Sequence, residues 1–159
     1  MSDGIKNFRI LDLFSGAGGF SYGMEKNIHF QTVIAVDFNP NALATFKYNM
    51  PNTRIINGDI TDAEIKKQII EQSKELKVNM IIGGPPCQGF SNANRQKNTA
   101  ISQNNMLVRQ YIRAILELNP KAFVMENVSM LKSEVHRFYL TREDVQIVED
   151  YNIPVKETS

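Results

Sequence analysis

The sequence predicts an α/β fold built on a mostly parallel sheet. Short apolar runs alternate along the chain with amphipathic stretches, a pattern typical of strand–helix–strand units. Turns rich in glycine, proline and asparagine separate many of these segments. The 159 residues suit one domain with its own core, and the sequence contains no internal repeat or low-complexity linker.

Composition narrows the class of protein. A single cysteine excludes an internal disulfide framework and a multi-cysteine zinc site, and it fits a reducing, cytoplasmic setting. The chain lacks a run of about 18 apolar residues and an amino-terminal signal pattern, so no membrane partner is predicted. The formal net charge of +1 does not indicate a nucleic-acid partner. His29 and His136 lack partners at metal-ligand spacing, so no metal is predicted.

The first predicted strand, residues 8–14, runs into a glycine-rich turn and a helix over about 19–26. Glycines at 16, 18 and 19 let the backbone approach a ligand that a Cβ atom would block. We expect a side chain at Gly18 to exclude a cofactor by steric contact. An ordinary turn between a strand and a helix is the alternative, because one glycine-rich turn is a weak signal.

The second predicted strand, residues 31–36, ends at Asp37, about 20 positions past Gly16. An acidic residue at that place can accept both ribose hydroxyls of an adenosine. Asn39 and Pro40 supply the cap and first turn of a helix over 41–48, which leaves Asp37 free for a ligand.

A short third strand over 54–57 precedes Asp59 and a capping box at 61–64. The helix that follows is expected to turn Ile65, Ile69 and Leu76 inward. Asp59 either caps a helix or faces a ligand, and capping is the more common use of such a residue.

The fourth predicted strand, residues 78–82, leads through two glycines and two prolines to Cys87. A thiol fixed at the carboxyl end of a strand stands where an open α/β sheet places its chemistry. A structural cysteine is the alternative. The polar segment 92–105 is predicted to be a loop, either a lid over the thiol or a solvated surface loop.

A helix over 106–118 and a fifth strand over 121–125 lead to Glu126. A carboxylate at the carboxyl end of a strand is a candidate functional group, with an ion pair or a cap as the alternative. A last helix is predicted over about 141–150.

Taken in order, these motifs resemble the amino-terminal part of the cytosine-C5 DNA methyltransferase family. Asp-Leu-Phe-Ser-Gly-Ala-Gly-Gly, residues 12–19, resembles the family's S-adenosylmethionine loop. Pro-Pro-Cys-Gln-Gly-Phe-Ser, residues 85–91, resembles its nucleophile motif, and Glu-Asn-Val, residues 126–128, its catalytic glutamate motif. The resemblance covers roughly residues 8 to 130.

The resemblance implies a Rossmann-like S-adenosylmethionine-dependent methyltransferase sheet, with helices on both faces and an incomplete edge. It implies Cys87 and Glu126 as catalytic residues. The cofactor residues it implies are Phe14, Ser15, Gly16, Gly18, Gly19, Asp37, Phe38, Asp59, Ile60, Pro85 and Leu107. The residues it implies for the target nucleotide are Pro86, Gln88, Ser91, Arg95 and Asn127.

The implied reaction transfers a methyl group from S-adenosylmethionine to C5 of a flipped-out cytosine in DNA, through a covalent adduct with Cys87. S-adenosylhomocysteine is the second product. Restriction-modification is the expected setting, with the protein near the nucleoid in a bacterium.

The family's arginine-bearing motif and target-recognition domain are not found in the sequence. We therefore expect residues 1–159 to form a single catalytic domain, a fragment or a subunit that a complementing subunit would complete. An exposed sheet edge would also allow a homo-oligomer. RNA cytosine-C5 methylation and a non-catalytic cofactor-binding or regulatory module stay open. A plain NAD-binding domain is disfavoured, because Ser21 stands where its third glycine is needed.

Overall fold

The computed structural model describes residues 8–86 and 98–126, together with Gln146 and Asp150. Strands and helices alternate through the two described ranges. The elements in order are β1 (Phe8–Leu13), α1 (Gly19–Glu25), β2 (Phe30–Asp37), α2 (Pro40–Asn49), β3 (Arg54–Asn57), α3 (Ala63–Glu75), β4 (Met80–Gly83), α4 (Asn98–Leu118) and β5 (Ala122–Met125).

The described strands form one sheet in the order β3-β2-β1-β4-β5. Every pair is parallel, so the carboxyl ends of all five strands meet at one edge. The chain runs outward from β1 to β3 and then returns to β4 on the other side of β1. That reversal places a topological switch point between β1 and β4, where open α/β sheets bind ligands. The predicted Rossmann-like fold class is confirmed.

Helices cover both faces of the sheet. On one face, Leu11 and Ile81 pack in a cluster with Ile69 of α3 and Tyr111 of α4. The alternate strand residues, such as Ile82, point the other way, into a cluster that includes residues of α1. A third cluster joins β2 to Phe46 of α2 and to Met50, which directly follows that helix. Burial of these apolar faces is what holds the helices to the sheet.

Several predicted boundaries move. α4 begins at Asn98 rather than at residue 106, so the predicted loop over 92–105 is wrong for residues 98–105. The prediction missed this first part of the helix because its polar sequence lacks the apolar period that indicates a helix. The cap of α3 is Asp62 rather than Thr61, since the Asp62 carboxylate accepts from the amides of Glu64 and Ile65 at 2.8 and 3.1 Å. Phe14 leaves β1 because its φ of 60° is left-handed.

The helix predicted over 141–150 lies largely outside the described residues. Gln146 and Asp150 are both helical, and the Gln146 amide donates to the Asp150 carboxylate at 2.9 Å.

The described sheet is open at β5. Phe123 and Val124 alternate between its two faces, and both side chains are exposed. Within the described part of the chain, no helix combines the length and apolar character needed to cross a membrane.

Candidate functional site

The turn between β1 and α1 is fixed to the end of β2. Phe14, Gly16 and Gly18 all have positive φ, at 60°, 53° and 91°. The Gly16 amide donates to the Asp37 carboxylate at 2.8 Å, and the Gly18 amide donates to the carbonyl of Ser15 at 3.0 Å. The left-handed steps and these bonds hold the turn in one shape over the switch point.

Gly18 is constrained by helix packing, a reason that the sequence did not indicate. A Cβ atom there would lie 2.7 Å from side-chain atoms of Phe46 and of Met50, which belong to the core under α2. At Gly16 and Gly19 a Cβ atom would meet nothing within 4 Å. A side chain at Gly18 would therefore disturb helix packing, and the expected clash with a cofactor stays a prediction.

The sequence predicts that the Asp37 carboxylate is free for a ligand, but in the structure it already accepts hydrogen bonds from the protein. Its two carboxylate oxygens accept from the amides of Gly16 and Asn39, both at 2.8 Å. The Asn39 side chain caps α2, as predicted, by accepting from two amides of its first turn. Each Asp37 oxygen has a second lone pair, so the carboxylate can hold the turn and still accept a ligand hydroxyl.

A cavity of about 360 Å³ lies at the carboxyl ends of the strands, and we call it the strand-end cavity. It brings together predicted cofactor residues from the ends of β1, β2 and β3 with one from α4. Its described lining is Phe14, Val36, Asp37, Phe38, Gly58, Asp59, Ile60, Gly84, Pro86 and Leu107. The Phe38 side chain is 74% exposed, which leaves its ring available to cover a bound group.

Asp59 caps a local turn and does not cap α3. One of its carboxylate oxygens accepts from the amide and the hydroxyl of Thr61, both at 2.8 Å. Its place in the lining of the strand-end cavity leaves the other oxygen available to a ligand. Of the two prolines, Pro86 lines this cavity, whereas Pro85 is buried and is not part of the described lining.

A second cavity of about 400 Å³, the carboxylate cavity, adjoins the first. Phe14 and Gly84 line both cavities. The described lining of the carboxylate cavity is Asp12, Phe14, Ser15, Phe20, Gly84 and Glu126. The strand-end cavity therefore adjoins the cavity that the Glu126 carboxylate lines.

Glu126 is held against the end of β4. Its amide donates to the carbonyl of Gly83 at 2.9 Å, which continues the β4–β5 pairing by one step. A Cβ atom on Gly84 would lie 2.9 Å from a carboxylate oxygen of Glu126. A glycine at 84 thus leaves room for the carboxylate beside the turn that leads toward Cys87.

Asp12 was not singled out as a site residue from the sequence. Its carboxyl group is only 1% exposed and accepts a hydrogen bond from the Ser21 hydroxyl at 2.5 Å. Burial raises the pKa of Asp12 to about 7, against the lowering effect of the Ser21 bond and with a smaller upward contribution from the Asp37 charge. The available signal was a lone acid inside the apolar run of β1.

Ser15 does not line the strand-end cavity. It lines the carboxylate cavity, and its buried hydroxyl has no hydrogen-bond partner among the described residues. Gly16, Gly18 and Gly19 form the turn without entering the described lining of either cavity.

The remaining predicted site residues lie outside the part of the chain that the structure describes. These are Cys87, Gln88, Ser91, Arg95 and Asn127. Their roles stay predictions. The described residues reach Pro86 on one side of the site and Glu126 on the other.

Comparison with known proteins gives the family. Residues 8–150 match the family model for C-5 cytosine-specific DNA methylase. Type II methyltransferase M.AquIA of Picosynechococcus sp. is 41% identical over 123 residues, which are 76% of this chain and 48% of that protein. Type II methyltransferase M1.HphI of Haemophilus parahaemolyticus is 38% identical over 122 residues, covering 76% of this chain and 32% of its own length.

A solved structure agrees with the sequence matches. The crystal structure of a DNA modification methyltransferase encoded within an E. coli prophage is 34% identical, with a TM-score of 0.60. The match covers 76% of this chain and 32% of that one. The chain thus spans about half or less of the length of these relatives. With a family model that spans 8–150 and a fold that agrees, this chain belongs to the C-5 cytosine-specific DNA methylase family.

Proposed function

We propose that this chain carries the cofactor site and the catalytic groups of a DNA (cytosine-5-)-methyltransferase that uses S-adenosylmethionine. The observation that supports this most is the pair of adjoining cavities. One holds the acidic and apolar groups predicted for the cofactor, the other holds Glu126, and Phe14 and Gly84 line both. Methyl transfer needs a donor and the groups that activate its acceptor side by side.

The strand-end cavity suits the adenosine part of S-adenosylmethionine. Asp37 offers carboxylate oxygens to ribose hydroxyls, and Asp59 offers one to the adenine amino group. Phe38, Ile60 and Leu107 supply apolar surface for the flat base. The cofactor, when bound, supplies the methyl group.

Cytosine C5 is a weak nucleophile, and Cys87 is proposed to change that by covalent catalysis. Its thiolate adds to C6 of the cytosine, and the electron pair of the C5–C6 bond becomes available at C5 for the new bond to the methyl carbon, whose bond to the donor sulfur breaks. Loss of the C5 proton then restores the double bond as the Cys87 sulfur leaves C6. The thiol must be deprotonated to start the cycle.

Glu126 is proposed to stabilise the charge that develops on the base. Its carboxyl group can donate to ring N3 and accept from the exocyclic amine, which offsets the electron density that the thiolate adds. Neither contact can form while the cytosine is stacked and paired in a duplex, so the base must flip out.

A trapping experiment tests this proposal. Duplex DNA in which 5-fluorocytosine replaces every cytosine offers all target sequences at once, and fluorine at C5 blocks the final elimination. With S-adenosylmethionine, the wild-type chain should form an adduct that survives denaturing electrophoresis. Cys87→Ser should form none while it keeps its affinity for S-adenosylmethionine.

The outcomes separate the alternatives. An adduct with Cys87→Ser would refute the nucleophile assignment. An adduct only with a 5-fluorocytidine RNA would make RNA the acceptor. Cofactor binding without an adduct on either nucleic acid would favour a non-catalytic or regulatory module, or a chain whose catalysis needs the complementing protein proposed next.

We further propose that DNA reading uses protein that lies beyond these residues in the longer relatives. A complementing subunit with the target-recognition part, or a second copy of this chain, would pack at the open edge of β5, where Phe123 and Val124 are exposed. Sedimentation of the purified chain alone distinguishes these two occupants. A dimer would support a second copy at the β5 edge, and a monomer would support a separate complementing subunit.

A further inference from the structure

Tyr111 of α4 connects the two strands that lead to the catalytic segments. Its side chain is 1% exposed. The hydroxyl lies 2.9 Å from the carbonyl oxygen of Val124 in β5 and 3.2 Å from that of Ile81 in β4. A tyrosine hydroxyl has one proton, so it donates to these two carbonyls as a shared, three-centre bond.

The contact comes just before the site. Val124 is two residues before Glu126, and Ile81 precedes Gly83, whose carbonyl accepts the Glu126 amide. The Tyr111 ring also limits Gly83, where a Cβ atom would lie 3.0 Å from the ring and 2.3 Å from the Leu13 carbonyl. Strands β4 and β5 therefore both contact one tyrosine.

The Tyr111 hydroxyl keeps its proton at neutral pH and so remains a hydrogen-bond donor. Burial raises the pKa of Tyr111, and the nearby charge of Asp12 acts in the same direction. One helical turn earlier on the same helix, Leu107 lines the strand-end cavity. One rigid element thus contacts both the cofactor side and the Glu126 side of the site.

We propose that Tyr111 is a positioning residue that holds the Glu126 carboxylate in place beside Gly84. Its hydroxyl does this by binding carbonyl oxygens of both β4 and β5. The inference rests on the proposed catalytic role of Glu126. Catalysis depends on such placement, because a misplacement of about 1 Å can cost about 100-fold in rate. A packing tyrosine would need only its ring.

Tyr111→Phe tests the hydroxyl and keeps the ring. Hydrogen–deuterium exchange of the full chain should show the Glu126 amide exchanging about five- to tenfold faster, the effect of one lost hydrogen bond acting locally. Amides in the pairing of β1 with β2 should keep their rates. Tyr48→Phe makes the same chemical change at a side chain that is 87% exposed, and should alter neither.

Steady-state methyl transfer to unmodified duplex DNA supplies the second test, because a chain trapped on 5-fluorocytosine does not turn over. Tyr111→Phe should lower kcat by about 10- to 100-fold with KM and the cofactor Kd within about twofold, since the residue positions a group that acts in the transition state. A uniform rise in exchange through the whole sheet, or an unchanged Glu126 amide, would overturn the proposal. The exchange result tests the positioning role of Tyr111 by itself. A wild-type chain that transfers no methyl group would count against the proposed function and would leave the exchange result unaffected.

Discussion

Asp37→Ala, compared with Asp62→Ala, separates a binding carboxylate from a structural one. Each aspartate accepts from two backbone amides, Asp37 from Gly16 and Asn39, and Asp62 from Glu64 and Ile65. Only Asp37 lines the strand-end cavity. Each substitution leaves two backbone amides without their carboxylate acceptor, so each should lower the free energy of unfolding. The expected loss is about 1–2 kcal/mol for the helix cap at Asp62 and a similar amount for Asp37.

The two variants should differ in cofactor affinity. Loss of the acceptor for the ribose hydroxyls should cost about 1–3 kcal/mol at Asp37, which is about 5- to 150-fold in the Kd for S-adenosylmethionine. Asp62→Ala should bind with the wild-type Kd. Denaturant unfolding gives the stability of each variant and calorimetric titration gives its Kd. Equal affinities in the two variants would refute a ligand role for Asp37 and leave it as a clamp for the glycine turn.

Three further predictions concern stability and catalysis. Asp12→Asn should flatten the pH dependence of stability between about pH 4 and pH 7. The native state keeps the Asp12 proton up to about pH 7, whereas the unfolded chain releases it near the ordinary pKa of 3.8. The free energy of unfolding of the wild-type chain therefore falls as pH rises through that window, by up to about 4 kcal/mol. Urea unfolding at several pH values measures this, and equal slopes in both proteins would contradict it. Gly18→Ala should destabilise by about 2–3 kcal/mol through left-handed strain and overlap with the α2 core, whereas Gly19→Ala, in open space at the start of α1, should be neutral or slightly stabilising. Thermal unfolding compares the two, and similar losses would mean that the turn tolerates no side chain at all. Glu126→Gln should lower the rate of methyl transfer about 100-fold or more with cofactor affinity unchanged, and a wild-type rate would remove Glu126 from the chemistry.

Much of the fold follows from local pattern. Buried parallel strands are continuous apolar runs, so β1 and β2 are visible in the sequence, and Asn39-Pro40 marks the start of α2 because cap and first-turn chemistry is local. The start of α4 is not visible, since a polar sequence carries no apolar period even where the chain is helical.

Site residues can be predicted from the sequence where they belong to a recognisable motif at the end of a strand. Asp37, Phe38 and Leu107, which the family resemblance assigns to the cofactor, line one cavity, and their ligand role stays a prediction. The packing constraint on Gly18 comes from α2, which is distant from it in sequence, so the sequence pattern does not reveal it. Tyr111 looks like one member of an apolar helix face, and its hydroxyl contacts depend on the pairing of β4 with β5.

Calorimetric titration of the full chain with S-adenosylmethionine, with NAD as the control ligand, tests whether the strand-end cavity binds the methyl donor. We expect saturable binding of S-adenosylmethionine, no heat from NAD, and loss of affinity in Asp37→Ala. A folded chain that binds neither ligand, or binds NAD as well, would contradict the assignment of the strand-end cavity to the methyl donor.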